Sequence, residues 1–337
     1  MPLLSDVAEK AKVSLMTVSR VVNGDKKVKK ETRERVQQAI KALGYQPNAM
    51  AQALSSKRTM NIGLILPKIE YVLSEPYFCS LIYSLEKALS LYHYNLLIDS
   101  SEHRNTQNMS VLYERKKVDG LIIVGSVIDD ERISMLSKKQ IPSVLVHARS
   151  SLPGLSFVDL DNYQIIDCLL MYLQKLGHRR IGFITGDLTV LNAYDRLIAY
   201  KRRLKLLGLD LSQELVYEGD WSSISGYNSF SHFNNLSFRP TAVLSSNDHM
   251  AIGFIKAATD HGVSIPNDIS LVGIDDIEMA SFTTPKLTTI RQPMHNIANM
   301  TVEALIRSIN AESPSGSQII LNAELVERDS CAPVHTP

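Results

Sequence analysis

The chain has 337 residues, of which 45% are hydrophobic and 21% charged, and its formal net charge is +1. That length exceeds a single compact core and implies two or more lobes. No stretch approaches the ~18 uninterrupted apolar residues of a membrane span, and the N-terminus MPLLSDVAEKAK has no apolar core of a secretory signal.

The cysteines Cys79, Cys168 and Cys331 are far apart, and none forms a CxxC pair. This argues against a disulfide framework and against a zinc site, and it fits a reduced cytoplasm. The small net charge hides a division. Residues 1–60 carry 12 Lys and Arg against 5 Asp and Glu, while the rest of the chain carries 24 against 30. A basic head on an acidic body predicts that the head meets a polyanion and the body does something else.

Residues 5–12, SDVAEKAK, place Val7, Ala8 and Ala11 on one stripe of a short helix. Ser14 is a good N-cap for a second helix. That helix turns Val18, Val21 and Val22 inward and Met16, Arg20 and Asn23 outward, and Asn23-Gly24 stops it. A third helix starts near Lys30, buries Val36, Ala39, Ile40 and Leu43, and ends at Gly44. Three short helices with a tight turn between the first two form a helix-turn-helix module.

A helix of this width fits the major groove, where base edges differ in donors, acceptors and methyls. Arg20 suits a bidentate pair with guanine, and Leu15 and Met16 suit thymine methyls or sugars. Thr17, Ser19 and Asn23, backed by Lys26, Lys27, Lys29 and Lys30, suit phosphate oxygens. The same pattern also describes a three-helix packing module with a solvated face.

The run SDVAEKAKVSLMTVSRVVNGDKKVKKETRERVQQAIKALGYQPNAMAQAL resembles the N-terminal signature of the LacI/GalR family of bacterial transcription regulators. The resemblance implies a recognition helix at 15–23 with Leu15, Met16 and Arg20 toward bases. The candidate DNA-binding set is Ser14, Leu15, Met16, Thr17, Ser19, Arg20, Asn23 and Lys27, joined by Asn48 and Leu54 from the following linker. Lys12 stands where the family usually has glycine, which costs roughly a kcal/mol if the backbone there is left-handed.

The linker YQPNAMAQALSSKR opens with Pro47 and then Asn48, a possible N-cap for a short alanine-rich helix. About seven residues are marginal as a free helix, so by itself the segment reads as a flexible linker. The resemblance implies instead a hinge helix within 47–59. Such a helix folds on the operator, pairs across a dimer and wedges Leu54 into the minor groove.

From Asn61 the pattern changes to short apolar strands alternating with helices. NIGLILP, YNLLIDS, VDGLIIVG, IPSVLVHA, RRIGFITG, TAVLSSN and ISLVGIDD read as buried strands. YFCSLIYSLEKALSLY, IIDCLLMYLQKLG and HMAIGFIKAATDHG read as the helices between them. Such alternation predicts parallel sheets covered on both faces, in two Rossmann-like halves whose ligands sit at the strand carboxyl ends.

Hydrogen-bonding groups cluster at those ends: Ser126, His147, Asn247-Asp248 and Asp275-Asp276, with Arg196 and the single tryptophan, Trp221, nearby. Together they suit a polyhydroxylated ligand. Taken singly, each also has a structural reading as a helix cap, a surface histidine or a core tryptophan.

The body likewise resembles the family's periplasmic-binding-protein-like core, through NIGLILP, VDGLIIVG, LGHRRIGFITG, DRLIAYKRRL, PTAVLSSNDHMAIG, IPNDISLVGIDDIE and PKLTTIRQP. It implies effector contacts at Arg196, Asn247, Asp275 and Gln292, with Trp221, His147, Ser126, Tyr77 and Phe78 lining the cleft. Residues 1–46 then form the head and 47–59 the hinge. The core spans 60–337, with one subdomain of about 60–160 and 292–320 and another of about 161–291 and 321–333. Lobe crossings fall near 159–161, 289–292 and 320–322. Ala199-Tyr200 departs from the family's GF pair and is expected to crowd its helix. The chain ends at LVERDSCAPVHTP without heptads, which implies a homodimer rather than a tetramer.

No GxSxG, HExxH, GxGxxG or Walker pattern occurs, and the nine histidines lack ligand spacing. We therefore expect a non-enzyme without cofactor or metal. The reading is a cytoplasmic repressor that binds a pseudo-palindromic operator in double-stranded DNA and is controlled by a sugar-like effector. The alternatives are a solute-binding protein without a DNA role, or a regulator controlled by a corepressor or phosphoprotein.

Overall fold

The computed structural model describes residues 2–22, 25, 27–45, 58–67, 72–99, 108–312 and 316–334. The expected contacts Asn23, Asn48 and Leu54, and most of the hinge segment, lie outside the described residues.

The head consists of α1 (Leu4–Ala11), α2 (Leu15–Val22) and α3 (Lys30–Leu43). Val7, Ala8, Ala11, Val18, Val21, Val36 and Ala39 close its core, with Val22, Ile40 and Leu43 partly buried around them. Ser14 caps α2, its hydroxyl accepting from the Thr17 amide at 3.2 Å. The α1–α2 turn needs a left-handed residue, and Lys12 supplies it with φ 50° and ψ 49°. Gly44 ends α3 in the same region without a Cβ penalty, at φ 59°.

The core holds two six-stranded sheets. The first contains β1 (Asn61–Ile65), β2 (Asn95–Asp99), β3 (Gly120–Val124), β4 (Ser143–Val146), β5 (Ser156–Leu160) and β11 (Gln318–Leu321). Their order is β11-β5-β4-β3-β1-β2, and every neighbouring pair is parallel. Helices α4 (Pro76–Ser90), α5 (Asn108–Glu114), α6 (Glu131–Lys138) and α11 (Met294–Ile309) belong with this sheet.

The second sheet contains β6 (Ile181–Thr185), β7 (Val216–Glu218), β8 (Ala242–Ser245), β9 (Ser270–Asp275), β10 (Thr288–Arg291) and β12 (Glu324–Val326). Their order is β12-β10-β9-β8-β6-β7, and only β12 runs antiparallel to its neighbour. With it run α7 (Asn162–Lys175), α8 (Leu191–Leu207), α9 (Ser223–Asn234) and α10 (Asp248–Asp260).

The chain passes between the sheets after β5, β10 and β11. Strand residues of β3, β4, β6 and β8 are buried throughout, as sheets covered on both faces require. Tyr200 does not crowd α8. It is 1% exposed, stacks on Phe183 with ring centres 4.9 Å apart and donates its hydroxyl to the Ile181 carbonyl at 2.6 Å. The larger ring fills core space instead of pressing on the helix.

Candidate functional site

Two surfaces gather the residues singled out above. On the head, Leu15 and Met16 remain 53% and 64% exposed. Two large apolar side chains left side by side in water on a short helix mark a contact face. Arg20 is exposed beside them, with Asp25 at 4.0 Å. Ser14 and Thr17 share a hydroxyl contact at 2.8 Å, so both are partly engaged in the cap. Lys27 projects from the turn after α2, and its amide donates to Asp25 Oδ1 at 2.9 Å.

The second surface lies at the strand carboxyl ends, between the lobes. Tyr77, in the first turn of α4, brings its hydroxyl against His147 Nε2 and donates to Gln292 Oε1 at 3.3 Å. Gln292 in turn donates to Asp275 Oδ1 at 2.6 Å. One chain of polar groups thus runs from the first lobe, through a crossing segment, into the second. Phe78 packs edge-on to Tyr77 at 5.3 Å. Burial raises the Tyr77 phenol well above its ordinary pKa, with the Asp275 charge adding to the shift. Burial likewise raises Asp275, with Asp248 reinforcing it and Arg196 opposing.

Arg196, in the second turn of α8, is 4% exposed. Its Nε donates to Asn162 Oδ1 at 2.8 Å and its Nη1 to the Ser246 carbonyl at 2.5 Å. The guanidinium lies 6.0 Å from the Trp221 ring. Asn247 caps α10, accepting from the Met250 amide at 2.9 Å, and its Nδ2 donates to the Trp221 carbonyl at 3.0 Å. Trp221 lies so close to Gly186 that a Cβ there would meet its ring at 2.1 Å. Ser126 is buried and offers its backbone carbonyl to the Leu191 amide across the lobes at 3.2 Å. Of the cleft set, Tyr77, His147, Gln292 and Asp275 are joined directly, and Arg196, Trp221 and Asn247 form a second group.

His147, Trp221 and Asp275 have φ of 56°, 74° and 129°. Side chains rarely adopt such backbones, and strain of ~1–3 kcal/mol each is typical of residues held for a purpose.

Sequence reasoning missed most of a set of ionisable partners. Fully buried Asp159 forms an ion pair with Arg149, Oδ2 to Nε 3.3 Å, and lies 3.8 Å from His147 Nδ1. Arg149 also pairs with Asp195 of α8, joining the lobes. Glu75 and His249 form another interlobe pair at 2.9 Å, and Val127 and Val190 form an antiparallel bridge. Asp248 is fully buried, accepts from Thr289 Oγ1 at 2.5 Å and the Ile277 amide at 3.0 Å, and lies where a Gly273 Cβ would come within 2.1 Å. Asp248 stood among the strand-end groups expected from the sequence and Asp159 within the expected crossing near 159–161, but Arg149, Asp195, Glu75 and His249 are far apart in sequence and carry no local signature. Among the described residues no group of three or more His, Cys, Asp or Glu could hold a metal ion.

Comparison with known proteins decides the lineage. Residues 3–48 match the lacI family of bacterial regulatory proteins, and residues 170–331 match the periplasmic binding protein-like domain. Catabolite control protein A of Priestia megaterium is 32% identical over 328 residues, covering 96% of this chain and 98% of that protein. The chain belongs to the LacI family.

Another relative of this LacI-family regulator is the transcriptional repressor PurR of Klebsiella pneumoniae subsp. pneumoniae, 33% identical over 336 residues, covering 98% of this chain and 97% of that one. The lac repressor dimer bound to operator and the anti-inducer ONPF superposes with a TM-score of 0.85 at 28% identity, covering 98% of this chain and 99% of that one. The regulator CelR in complex with cellobiose gives 0.75 at 27% identity, covering 98% and 100%. The protein is accordingly a DNA-binding transcription regulator, and the relatives named are regulators rather than enzymes. Among the described residues no helix is long and apolar enough to cross a membrane.

Proposed function

We propose that this LacI-family protein is a cytoplasmic, homodimeric repressor whose hold on a pseudo-palindromic operator is set by a small carbohydrate-like effector in the interlobe cleft. The observation that carries this reading is the polar chain Tyr77–Gln292–Asp275, which joins both lobes through a crossing segment. A ligand that replaces those bonds changes how the lobes meet, and the first lobe continues directly into the linker to the head. In this reading Arg196, Asn247, Asp275 and Gln292 hold the effector's polar groups. Trp221, Tyr77 and Phe78 offer ring faces, and Ser126 and His147 close the cleft. Arg20, Leu15 and Met16 read base edges, while Ser14, Thr17, Ser19, Asn23, Lys27 and Asn48 meet the backbone and Leu54 enters the minor groove.

Dimerisation is supported by one edge of the first sheet, where β2 has no further strand beside it among the described residues. Strand β2 lies at that edge with Leu97 40% and Ile98 37% exposed, and Tyr83 and Leu91 of the adjoining α4 segment are 67% and 76% exposed. An apolar edge of this kind calls for a covering partner.

The test has two parts. Full-length protein selects duplexes from a random-sequence pool, which are then read for two-fold symmetry. Thermal unfolding is followed with a panel of sugars, sugar phosphates and nucleobases. A symmetric consensus and a rise in melting temperature with one sugar-like class support the reading. Recovery of no preferred sequence refutes the DNA role, and stabilisation by nucleobases alone refutes the carbohydrate assignment.

A further inference from the structure

The chain enters the core from the linker at the N-terminal end of β1, and that end is clamped. The Thr59 amide donates to Asp119 Oδ1 at 2.7 Å, the Met60 amide donates to Oδ2 at 3.0 Å, and Asn61 Nδ2 donates to the Lys117 carbonyl at 3.3 Å. The loop between α5 and β3 is therefore strapped to the last residues of the linker. That loop, residues 115–119, opens with Arg115-Lys116-Lys117 and ends with the clamping Asp119. All three cations are exposed, and among the described residues no carboxylate lies within 4.0 Å of any of them.

Parallel strands joined through helices return every helix C-terminus to the same end of the sheet. Lys138 and Lys139, at the end of α6, and Arg307, in the last turn of α11, are exposed there too. Lys139 holds Glu114 at 2.6 Å, and the other two have no acidic partner among the described residues. The core as a whole is acidic, with 24 basic against 30 acidic residues after position 60. Helix dipoles favour cations at C-terminal turns by about 0.3–1 kcal/mol each, within the last turn only. Three consecutive cations beyond the end of α5 exceed that requirement.

Twelve residues separate Tyr45 from Arg58, so the linker holds this face within roughly 45 Å of the head. DNA gripped by the head is the polyanion brought to it.

We propose that the linker-proximal end of the first lobe, centred on Arg115, Lys116 and Lys117, is a second DNA contact that reads phosphate charge rather than sequence. The inference rests on the DNA-binding reading and extends it from the head to the core. A second copy of the chain is a poor occupant, because it would set like charges against one another.

The experiment measures binding of full-length protein to its selected duplex, extended to about 40 base pairs, between about 50 and 200 mM salt. One variant carries Arg115→Ser, Lys116→Ser and Lys117→Ser. A control removes three exposed cations from α8 of the other lobe, Lys201→Ser, Arg202→Ser and Lys205→Ser. The linker-proximal variant should weaken binding several-fold at low salt with base preference unchanged. Its log–log salt slope should shrink by about 0.9 for each phosphate no longer neutralised, while the control keeps the wild-type slope. Lys138→Ser with Arg307→Ser should move the slope the same way from independent elements, which guards against misfolding of the loop variant. Equal weakening in the test and control variants would mean a net-charge effect and overturn the proposal, as would a wild-type slope in both linker-proximal variants. Wild-type protein that binds no duplex overturns the DNA-binding reading itself, a result separate from either.

Discussion

Gln292 donates to Asp275 at 2.6 Å, and the two residues lie on either side of a passage between lobes: Asp275 ends β9, and Gln292 follows β10 on the way to α11. This hydrogen bond is therefore one of the contacts that tie lobe geometry to the cleft. Asp275→Ala leaves the Gln292 amide without this acceptor, a cost of about 1–3 kcal/mol where the group is buried. The variant should lose effector-dependent stabilisation in thermal unfolding while retaining operator binding. Loss of DNA binding as well would assign Asp275 a purely structural role.

Arg20 faces solvent from α2 between the exposed Met16 and a loose contact with Asp25. Arg20→Ala should weaken operator binding by about 1–3 kcal/mol and relax one base position in each half-site. Equal weakening on every sequence would identify a phosphate contact instead. Binding to a set of single-base operator variants separates the two outcomes.

Burial holds Asp248 protonated up to about 7, with the Asp276 charge reinforcing the shift and the bonds from Thr289 and the Ile277 amide opposing it. An unfolded aspartate releases its proton near 3.9. The folded state thus binds more protons between those values, so this group favours folding fully below about pH 4 and its contribution fades as pH rises to about 7. At ~1.4 kcal/mol per unit, the loss is on the order of a few kcal/mol. Denaturant unfolding of wild type and Asp248→Asn at a series of pH values tests this: their difference in stability should change across that window. A constant difference would show that Asp248 is ionised throughout.

Lys12 carries a steric cost at φ 50° in the turn between α1 and α2. Lys12→Gly relieves a left-handed penalty of about 1–2 kcal/mol but adds unfolded-chain freedom of about 0.4–1 kcal/mol. The head should gain roughly 0.5–1 kcal/mol, visible as slower amide exchange in α1 and α2 of the full-length protein. Unchanged or faster exchange would mean that the lysine side chain itself supports the turn.

The head and six of the seven strands with unbroken aliphatic runs are legible because burial writes itself directly into such segments; the seventh, β2, forms a strand but not the buried one expected, since it lies at the sheet edge with Leu97 and Ile98 40% and 37% exposed. The five other strands escape that reading, for identifiable reasons. In β5, Ser156 and Asp159 interrupt the apolar run although every residue is buried. Short β7 and β12 lie at sheet edges, β11 alternates between exposed and half-buried positions, and β10 opens with two buried threonines. In the cleft, His147 and Asp275 at strand ends can be anticipated from topology, whereas Tyr77 and Gln292 are implied only by the family resemblance; the fold brings the four side chains together. The pairing of Arg149, Asp159 and Asp195 cannot be anticipated, since it depends on how two lobes approach.

The chain Tyr77–Gln292–Asp275 makes the protein its own competitor. At these three side chains an entering molecule exchanges one set of hydrogen bonds for another, so polar contacts with them alone yield little net affinity. A ligand that parts these groups without replacing their bonds leaves buried partners stranded, at about 1–3 kcal/mol each. A ligand that displaces these bonds is therefore selected as much by the partners it re-satisfies as by the contacts it adds.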